Sequence, residues 1–195
     1  MNYTNTDIDS IIKWLKENLT EERYVHSTGT MEAAVMLAER FKVDVEKAKV
    51  AALLHDSAKC TPEDCLKTCL ENECNYEPCE LINYKTWHAP VSAHFARTNF
   101  GVSDEEILSA IRWHTIGRVG MTTFEKVIFI ADKIENKTRD DKYRLKILKA
   151  LNKNGSLDDA LLKCFKLTIK SLLKRKLPIC QQTIDVYNDL ISKIE

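Results

Sequence analysis

The residues with the clearest chemical meaning in this chain are an adjacent His55-Asp56 pair and the histidines on either side of it. The other members of the series, in chain order, are His26 before the pair and His88, His94, His114 and Asp132 after it. Imidazole nitrogens and carboxylate oxygens are the ligands that divalent transition metals select in proteins. In a helical chain, this ordered series predicts a two-metal site that hydrolyses phosphoesters or phosphoanhydrides.

The spacing of the apolar residues predicts that side chains of this series face the interior. His55 follows Ala52 and the alanines before it at helical spacing and so continues a buried stripe, with Asp56 beside it at the helix end. Asp132 shares a helix face with Ile128. A carboxylate in such an apolar setting costs several kcal/mol unless it is paired or bound to a metal.

A single inward histidine is more often a hydrogen-bonded core residue than a metal ligand. Here, however, four separate helices present a ligand-type residue inward, as metal sites in helical bundles require. The joint occurrence therefore favours a metal role for His26, His55, Asp56 and Asp132. We expect a second metal or the substrate phosphate to be bound by His88 and His114. His94 is interpreted as an ordinary polar residue of its helix.

The elements that must position these residues are helices. The chain has only 5 glycines and 4 prolines, and its apolar residues recur at helical rather than alternating spacing. We therefore predict an all-α helical bundle that forms a single compact domain over residues 1–195. The predicted helices cover about 7–19, about 24–41, about 45–58, a segment from Pro62, Pro90 to Gly101, Ser103 to about 115, Thr122 to about 136, and two or three more over about 141–195, with Ser156 as an N-cap. The segment over about 70–87 is a lid or a loop.

Composition limits the class of partner. Lys plus Arg and Asp plus Glu each number 29, so no net charge attracts nucleic acid or an anionic membrane, and we expect a small substrate. The N-terminal sequence lacks a basic segment followed by an apolar one, and no apolar run approaches the roughly 20 residues that span a bilayer. We therefore predict a cytoplasmic protein with mostly reduced cysteines.

A run of five cysteines invites a zinc or iron–sulfur interpretation: Cys60, Cys65, Cys69, Cys74 and Cys79. The run contains no Cys-x-x-Cys pair, which is the spacing that such sites use. We interpret the run as structural or incidental, with a redox-sensitive lid as the alternative.

Together these motifs resemble the HD-domain metal-dependent phosphohydrolases, in which a His, a His-Asp pair and a later Asp follow one another. The similarity is closer to the YqeK-type branch, the symmetrical bis(5'-nucleosyl)-tetraphosphatases that hydrolyse diadenosine tetraphosphate. It covers most of residues 8–190, in order, and the matching stretches are Arg23–Ser27, His55–Lys59, Trp87–Val91, Ile111–Arg118 and Glu125–Glu135. The His-Ala-Pro and His-Thr-x-Gly-Arg segments are more specific than the bare HD pattern.

The resemblance implies an all-α HD fold, an iron-type centre of one or two ions in which Mn or Co would also serve, and cleavage of diadenosine tetraphosphate into two ADP. It carries the metal role over to His26, His55, Asp56 and Asp132. It carries a substrate or second-metal role over to His88 and His114. The matching candidates for substrate contact are Lys59, Thr115, Arg118 and Arg139. A homodimer is left open.

The chain departs from the family pattern at four positions, none of which is a proposed ligand. Lys133 replaces the usual aromatic residue after the last Asp, and Asn136 replaces a Pro. The following arginine is shifted by one position, to Arg139, and Ser92 stands where Gly is frequent.

The expected chemistry follows from the ligands. A divalent metal lowers the pKa of its bound water toward ~7, and Asp56 could bridge two ions whose hydroxide attacks phosphorus in line. Lys59 and Arg118 would stabilise the charge that develops on the phosphoryl oxygens. Three alternatives stay open: another HD-type phosphohydrolase such as a deoxynucleotide phosphatase, a nucleotide-binding regulatory protein without activity, and a helical di-iron oxygenase.

Overall fold

A computed structural model describes residues 7–193, and every regular element within them is helical. The helices are α1 (Ile8–Asn18), α2 (Glu21–Phe41), α3 (Val45–Leu54), α4 (Glu63–Glu73), α5 (His88–Phe100), α6 (Glu105–Trp113), α7 (Thr123–Ile134), α8 (Asp141–Asn154), α9 (Leu157–Lys174) and α10 (Gln181–Ser192). Two short 3-10 segments, Pro78–Ile82 and Tyr84–Thr86, lie between α4 and α5. No strand occurs in residues 7–193, and the all-α prediction is confirmed.

Two helix starts that were predicted from capping residues agree with the structure. Thr122 and Glu125 form a reciprocal capping box at the start of α7, which is the helix that carries Asp132. Ser156 accepts hydrogen bonds from two backbone N–H groups in the first turn of α9.

Three predicted helix boundaries are wrong. α5 begins at His88 and not at Pro90, which lies inside its first turn. Asp104, rather than Ser103, caps α6, because its carboxylate accepts hydrogen bonds from two first-turn N–H groups. α3 ends at Leu54 instead of continuing to about residue 58, and tight turns with i to i+3 hydrogen bonds follow it. Successive residues of a continuing helix point about 100° apart. The turn instead buries both His55 and Asp56, which are 0% and 4% exposed.

Small side chains allow the central helices to approach closely. α2 packs against both α3 and α7, and α6 packs against the same two helices. The α2 and α3 faces carry fully buried alanines, which are Ala34, Ala38, Ala48, Ala51 and Ala52. This close packing brings His26 of α2 near the turn that follows α3.

The segment between α4 and α5, which the sequence predicted to be a lid or a loop, is tied down by buried polar contacts. Glu80 is fully buried, and its Oε1 accepts a hydrogen bond from Nη1 of Arg112 at 3.0 Å. Its backbone carbonyl accepts a second from Nε1 of Trp87 at 2.7 Å. A small apolar cluster that includes Leu66 and Trp87 packs beneath this segment.

The cysteines are mostly free thiols, as predicted, but the structure pairs two of them. Cys79 of the cysteine run forms a disulfide with Cys180, which lies 101 positions later at the start of α10. The other five are free. Within residues 7–193, no cysteine belongs to a group of side chains that could share one metal ion.

Two further predictions concern the chain as a whole. Within residues 7–193, none of the helices combines the length and the apolar character that a membrane span requires. The interpretation of residues 1–195 as one domain stays a prediction, and residues 1–6, 194 and 195 lie outside the described part of the chain.

Candidate metal centre

Four histidines and two aspartates from different elements converge in the interior. His26 comes from α2, His88 is the first residue of α5, and Asp132 lies in the last turn of α7. The remaining members directly follow α3 or α6, and they are His55, Asp56 and His114. All six side chains are buried. The structure therefore brings together every residue for which the sequence predicted a metal role.

One group of donors consists of His26, His55 and Asp132. Nε2 of His26 lies 3.1 Å from Oδ1 of Asp132 and 3.3 Å from Nε2 of His55. Nε2 of His55 lies 3.9 Å from the same Oδ1 atom. The three donor atoms are close enough to hold one ion. The Nε2 atoms of His26 and His55 face each other directly, and a bound ion would make this contact favourable.

A second group surrounds the other side of Asp56. Nε2 of His88 lies 3.2 Å from Oδ1 of Asp56, and Nε2 of His114 lies 3.5 Å from it. These two imidazole nitrogens are 3.2 Å apart. Donor atoms of His55, Asp56 and His114 are likewise close enough to share one ion.

Asp56 faces both groups through different oxygen atoms. Its Oδ2 atom lies 3.8 Å from Nε2 of both His26 and His55, while its Oδ1 atom faces His88 and His114. A carboxylate placed in this way could help to hold an ion on either side of it, together with the histidines there.

Metal binding requires neutral imidazoles and ionised carboxylates. Burial would lower the pKa of His26, but its contact with Asp132 outweighs burial and raises that pKa, so an ion at His26 would have to displace a proton. Burial lowers the pKa of His55 to about 3 and that of His88 to about 4. Burial alone would raise the pKa of Asp56, but the surrounding histidines, His55 foremost, hold it well below its ordinary value. Burial alone would likewise raise the pKa of Asp132, but Arg139 and neighbouring cations outweigh burial and hold this pKa well below its ordinary value.

Outer contacts turn three of the imidazole rings so that Nε2 faces the centre. Nδ1 of His55 lies 2.6 Å from the Ala52 carbonyl, and Nδ1 of His114 lies 2.7 Å from the Ile111 carbonyl. When Nδ1 carries the proton and donates it to these oxygens, Nε2 is unprotonated and can bind a metal, as in most histidine metal ligands.

The third ring is oriented by a carboxylate. Nδ1 of His26 lies 3.1 Å from Oε1 of Glu135, which is 1% exposed. Burial would raise the pKa of Glu135, but hydrogen bonds from Thr138 and other donors outweigh it and lower the pKa. The carboxylate can therefore accept the Nδ1 proton of His26.

Several of the predicted substrate-contact residues lie at the centre. Nζ of Lys59 lies 3.1 Å from Nε2 of His88, and burial lowers the pKa of Lys59. Oγ1 of Thr115 lies 3.1 Å from Nε2 of His114. Arg139 forms an ion pair with Asp132, and its Nε donates to the carbonyl of the same residue at 2.8 Å.

Two other residues are engaged elsewhere. Nε of Arg118 donates to Oε1 of Glu125 at 3.0 Å, so its guanidinium is bound at the start of α7. His94 is partly buried and lines a separate cleft with Arg97 and Trp113, which agrees with its interpretation as an ordinary polar residue.

Three contributing residues were missed in the sequence, although two of them carry a recognisable signal. Gly29 is an isolated glycine inside a helical pattern, where glycine costs about 1 kcal/mol relative to alanine, and this cost points to a packing reason. Arg23 lies three residues before His26, on the same helix face, and its Nη1 atom is 3.5 Å from Oδ2 of Asp56. Glu135 was seen only as part of a motif, because its partner His26 lies 109 positions away.

Comparison with known protein families gives this centre its context. The family model described as "HD domain" matches residues 23–137, a range that contains all six converging residues. The chain belongs to the HD domain family. HD domains bind divalent metal, and the nitrogen and oxygen donors of this cluster fit such an ion. Which of the six residues bind it stays a proposal.

Curated relatives extend over nearly the whole chain of this HD protein. The symmetrical bis(5'-nucleosyl)-tetraphosphatase of Bacillus subtilis (strain 168) is 41% identical over 181 residues, which cover 91% of this chain and 94% of the relative. The protein of the same name from Staphylococcus aureus (strain NCTC 8325 / PS 47) is 35% identical, and 93% of each chain is covered.

A solved structure supports the fold. The crystal structure of a predicted HD superfamily hydrolase involved in NAD metabolism from Clostridium acetobutylicum superimposes with a TM-score of 0.89 at 36% sequence identity. The alignment covers 96% of this chain and 98% of that one. The HD fold expected from the sequence is therefore confirmed.

Proposed function

We propose that this HD protein hydrolyses diadenosine tetraphosphate symmetrically to two ADP in a reaction that depends on divalent metal. The observation that carries the proposal is the position of Asp56 between two pairs of histidines, with one oxygen toward each pair. The choice of substrate is supported by the curated relatives from B. subtilis and S. aureus, whose names state this symmetrical activity.

The donor set suggests how the ions are held. One ion would be bound by His26, His55 and Asp132, a second by His88 and His114, and Asp56 would contact both. When bound, the ions polarise phosphoryl oxygens and lower the pKa of water toward ~7. We propose iron, because mixed imidazole and carboxylate ligands without thiolates suit it, and manganese or cobalt would also serve.

The chain itself supplies fixed positive charge around the reacting phosphates. On one side of the centre, Lys59 contacts His88 and Arg23 contacts Asp56. On the other side, Arg139 and Lys133 form ion pairs with Asp132. Such preorganised cations stabilise the charge that develops on phosphoryl oxygens during transfer. The hydroxyl of Thr115, next to His88 and His114, can donate a hydrogen bond to the same oxygens.

Cleavage in the middle of the substrate constrains how it lies. The two central phosphates must lie over Asp56, and one ADP half must extend to each side of it. A phosphate role for Arg118 stays a prediction, and it requires that its side chain leave Glu125. The predicted cytoplasmic location and the absence of a nucleic-acid partner also stay predictions, and a homodimer stays open.

The test is an analysis of reaction products. Protein supplied with Fe, Mn or Co is incubated with diadenosine tetraphosphate, and the nucleotides are separated by anion exchange. We expect ADP as the sole product from wild type and no product from His55→Ala. His94→Ala, a matched histidine outside the centre, should behave like wild type.

The outcomes separate this proposal from its alternatives. The appearance of AMP and ATP would show that the cleavage position is wrong. Release of nucleoside and phosphate from deoxynucleotides, without turnover of the dinucleotide, would favour a deoxynucleotide phosphatase. Absence of any product with all three metals would overturn the choice of substrate.

A further inference from the structure

A cleft of about 390 Å³ opens beside the metal centre and leads outward along the segment that precedes α5. Its lining includes the buried His88 with Lys59 in contact with it, and the exposed Tyr84 and Lys85, which we call its outer end. Clefts that hold small ligands are typically about 300–1,000 Å³ in volume, so this one has the size of a ligand site.

The charge of the cleft favours a polyanion. Three cationic side chains line it, from Arg23, Lys59 and Lys85, against a single carboxylate from Glu63. Nη1 of Arg23 lies 3.5 Å from Oδ2 of Asp56, and so the row of cations begins at the proposed metal residues. A chain of phosphates that leaves the centre along this cleft would therefore have these three cations available to it.

The outer end of the cleft offers an aromatic surface. Tyr84 is 51% exposed, and its ring is supported by Trp87 in an edge-to-face contact with centroids 6.5 Å apart. Trp87 is itself buried and hydrogen-bonded to the Glu80 carbonyl, so the support is fixed. An exposed aromatic ring on a fixed base is the usual platform for stacking a nucleobase.

The backbone around Tyr84 is equally constrained. Tyr84–Thr86 forms a 3-10 turn whose first residues are capped by the side chain of Asn83, which accepts from the Lys85 N–H at 3.2 Å. Oγ1 of Thr86 donates to the Asn83 carbonyl at 2.7 Å. Nζ of Lys85 lies 5.9 Å from the centre of the Tyr84 ring, so the ammonium group and the aromatic ring are close enough to contact the same nucleotide.

We propose that Tyr84 and Lys85 bind one of the two nucleoside diphosphate halves of the substrate. Tyr84 stacks on the base, and Lys85 pairs with the phosphate nearest the ribose. This assignment rests on the proposed function for its substrate, but it concerns binding rather than chemistry. The two residues lie at the outer end of the cleft, away from the reacting phosphates, so they set KM and leave kcat unchanged.

The test compares Tyr84→Ala, Tyr84→Phe and Lys85→Ala in metal-replete, full-length protein. Loss of base stacking weakens nucleotide binding by about tenfold, so we expect KM for diadenosine tetraphosphate to rise by about that factor in Tyr84→Ala. Tyr84→Phe keeps the ring and should retain the KM of wild type. Matched controls are Leu145→Ala and Lys149→Ala, which change exposed residues of α8.

A second readout measures binding without turnover. The affinity for ADP, determined by equilibrium dialysis, should weaken in Tyr84→Ala and Lys85→Ala by the same factors as KM. An unchanged KM and ADP affinity in Tyr84→Ala would overturn the proposal, as would a Phe variant as weak as the Ala variant. A fall in kcat at constant KM would also overturn it, because it would indicate displacement of His88.

The two proposals can fail separately. If wild type yields ADP from the dinucleotide but Tyr84→Ala has unchanged kinetics, the function stands and this subsite is wrong. If wild type does not cleave the dinucleotide, ADP dialysis still decides the subsite. Weaker ADP binding in Tyr84→Ala would then support a nucleotide subsite, and equal binding in both proteins would overturn it.

Discussion

Gly29 leaves the space that the carboxylate of Glu135 occupies. A methyl group on residue 29 would lie 2.6 Å from Oε2 of Glu135, which is closer than a real contact allows. The other oxygen of Glu135 lies 3.1 Å from Nδ1 of His26, one turn earlier on α2. Backbone N–H groups of Lys137 and Thr138 hold the carboxylate from the other side. The glycine thus permits the contact that orients a proposed metal ligand.

We expect Glu135→Gln to lower activity or metal affinity by about 10–100-fold, the usual effect of losing a partner that orients a histidine ligand. Gly29→Ala should act in the same direction, because its methyl group displaces Glu135. Alanine favours a helix over glycine by about 1 kcal/mol, so the loss should not come from unfolding of α2. Steady-state kinetics, metal titration and thermal unfolding check these expectations.

Met36→Ala, on the exposed side of the same helix, is the control for these two variants and should match wild type. If Gly29→Ala kept the kcat and the metal affinity of wild type, Glu135 would not act through its position beside His26.

Removal of the metal should lower the thermal stability of the protein. Two pairs of buried imidazole nitrogens face each other at 3.2 and 3.3 Å, and ions would convert these contacts into favourable ones. A ligand at 100 times its Kd adds about 2.7 kcal/mol to the free energy of unfolding. We expect a chelator to lower Tm and abolish activity, and added Mn²⁺ to restore both.

Asp56→Asn tests the same prediction by changing a proposed metal ligand instead of the metal, because it removes the negative charge that faces both histidine pairs. Its Tm should respond to chelator and to Mn²⁺ much less than that of wild type. An equal response in the two proteins would argue against a role for Asp56 in metal binding.

The Cys79–Cys180 disulfide should stabilise the fold. It closes a loop of 101 positions and joins the segment before α5 to the start of α10. Disulfides typically contribute about 2–4 kcal/mol, chiefly by restricting the unfolded chain. We expect reductant to lower the free energy of unfolding of oxidised wild type by that amount, as measured by urea titration.

The double variant Cys79→Ser/Cys180→Ser should show the lower stability and no response to reductant. The matched control is Cys60→Ser/Cys65→Ser, which changes two exposed free thiols. A control as sensitive to substitution as the first pair would contradict the assignment.

Stability should also depend on pH through Asp104, which caps α6. Burial alone would raise the pKa of Asp104, but hydrogen bonds from Lys47 and from the backbone outweigh it and lower the pKa from 3.8. A lowered carboxyl pKa contributes stability above pH 3.8, and the contribution is lost as the pH falls through the folded-state pKa.

Asp104→Asn keeps a capping side chain but removes the charge next to Lys47. We expect it to lower the free energy of unfolding by up to about 1 kcal/mol at pH 7, and we expect the difference to vanish in acid. Urea titrations between about pH 3 and pH 7 measure it. Ser103→Ala should have no such effect, since Asp104 and not Ser103 caps the helix; a loss equal to that of Asp104→Asn would reverse this assignment.

Local sequence determined the helices, several of their caps and the donor types of the site. The Thr122 and Ser156 caps and the inward direction of His55 and Asp132 depend on residues within about four positions, which the sequence displays directly. The end of α3 was predicted wrongly, because the apolar stripe continues through His55, whose backbone is still helical, while the hydrogen bonds that follow are those of tight turns.

Tertiary structure alone decided how those residues meet. Asp56 faces two histidine pairs because α2, α5 and α6 each approach the turn after α3. Glu135 reaches His26 across 109 positions, and Cys79 reaches Cys180 across 101. Such contacts depend on which helix faces pack together, and packing is fixed by the fit of the whole core rather than by neighbours in the chain. The donor atoms are therefore a property of the sequence, and their arrangement into a centre is a property of the fold.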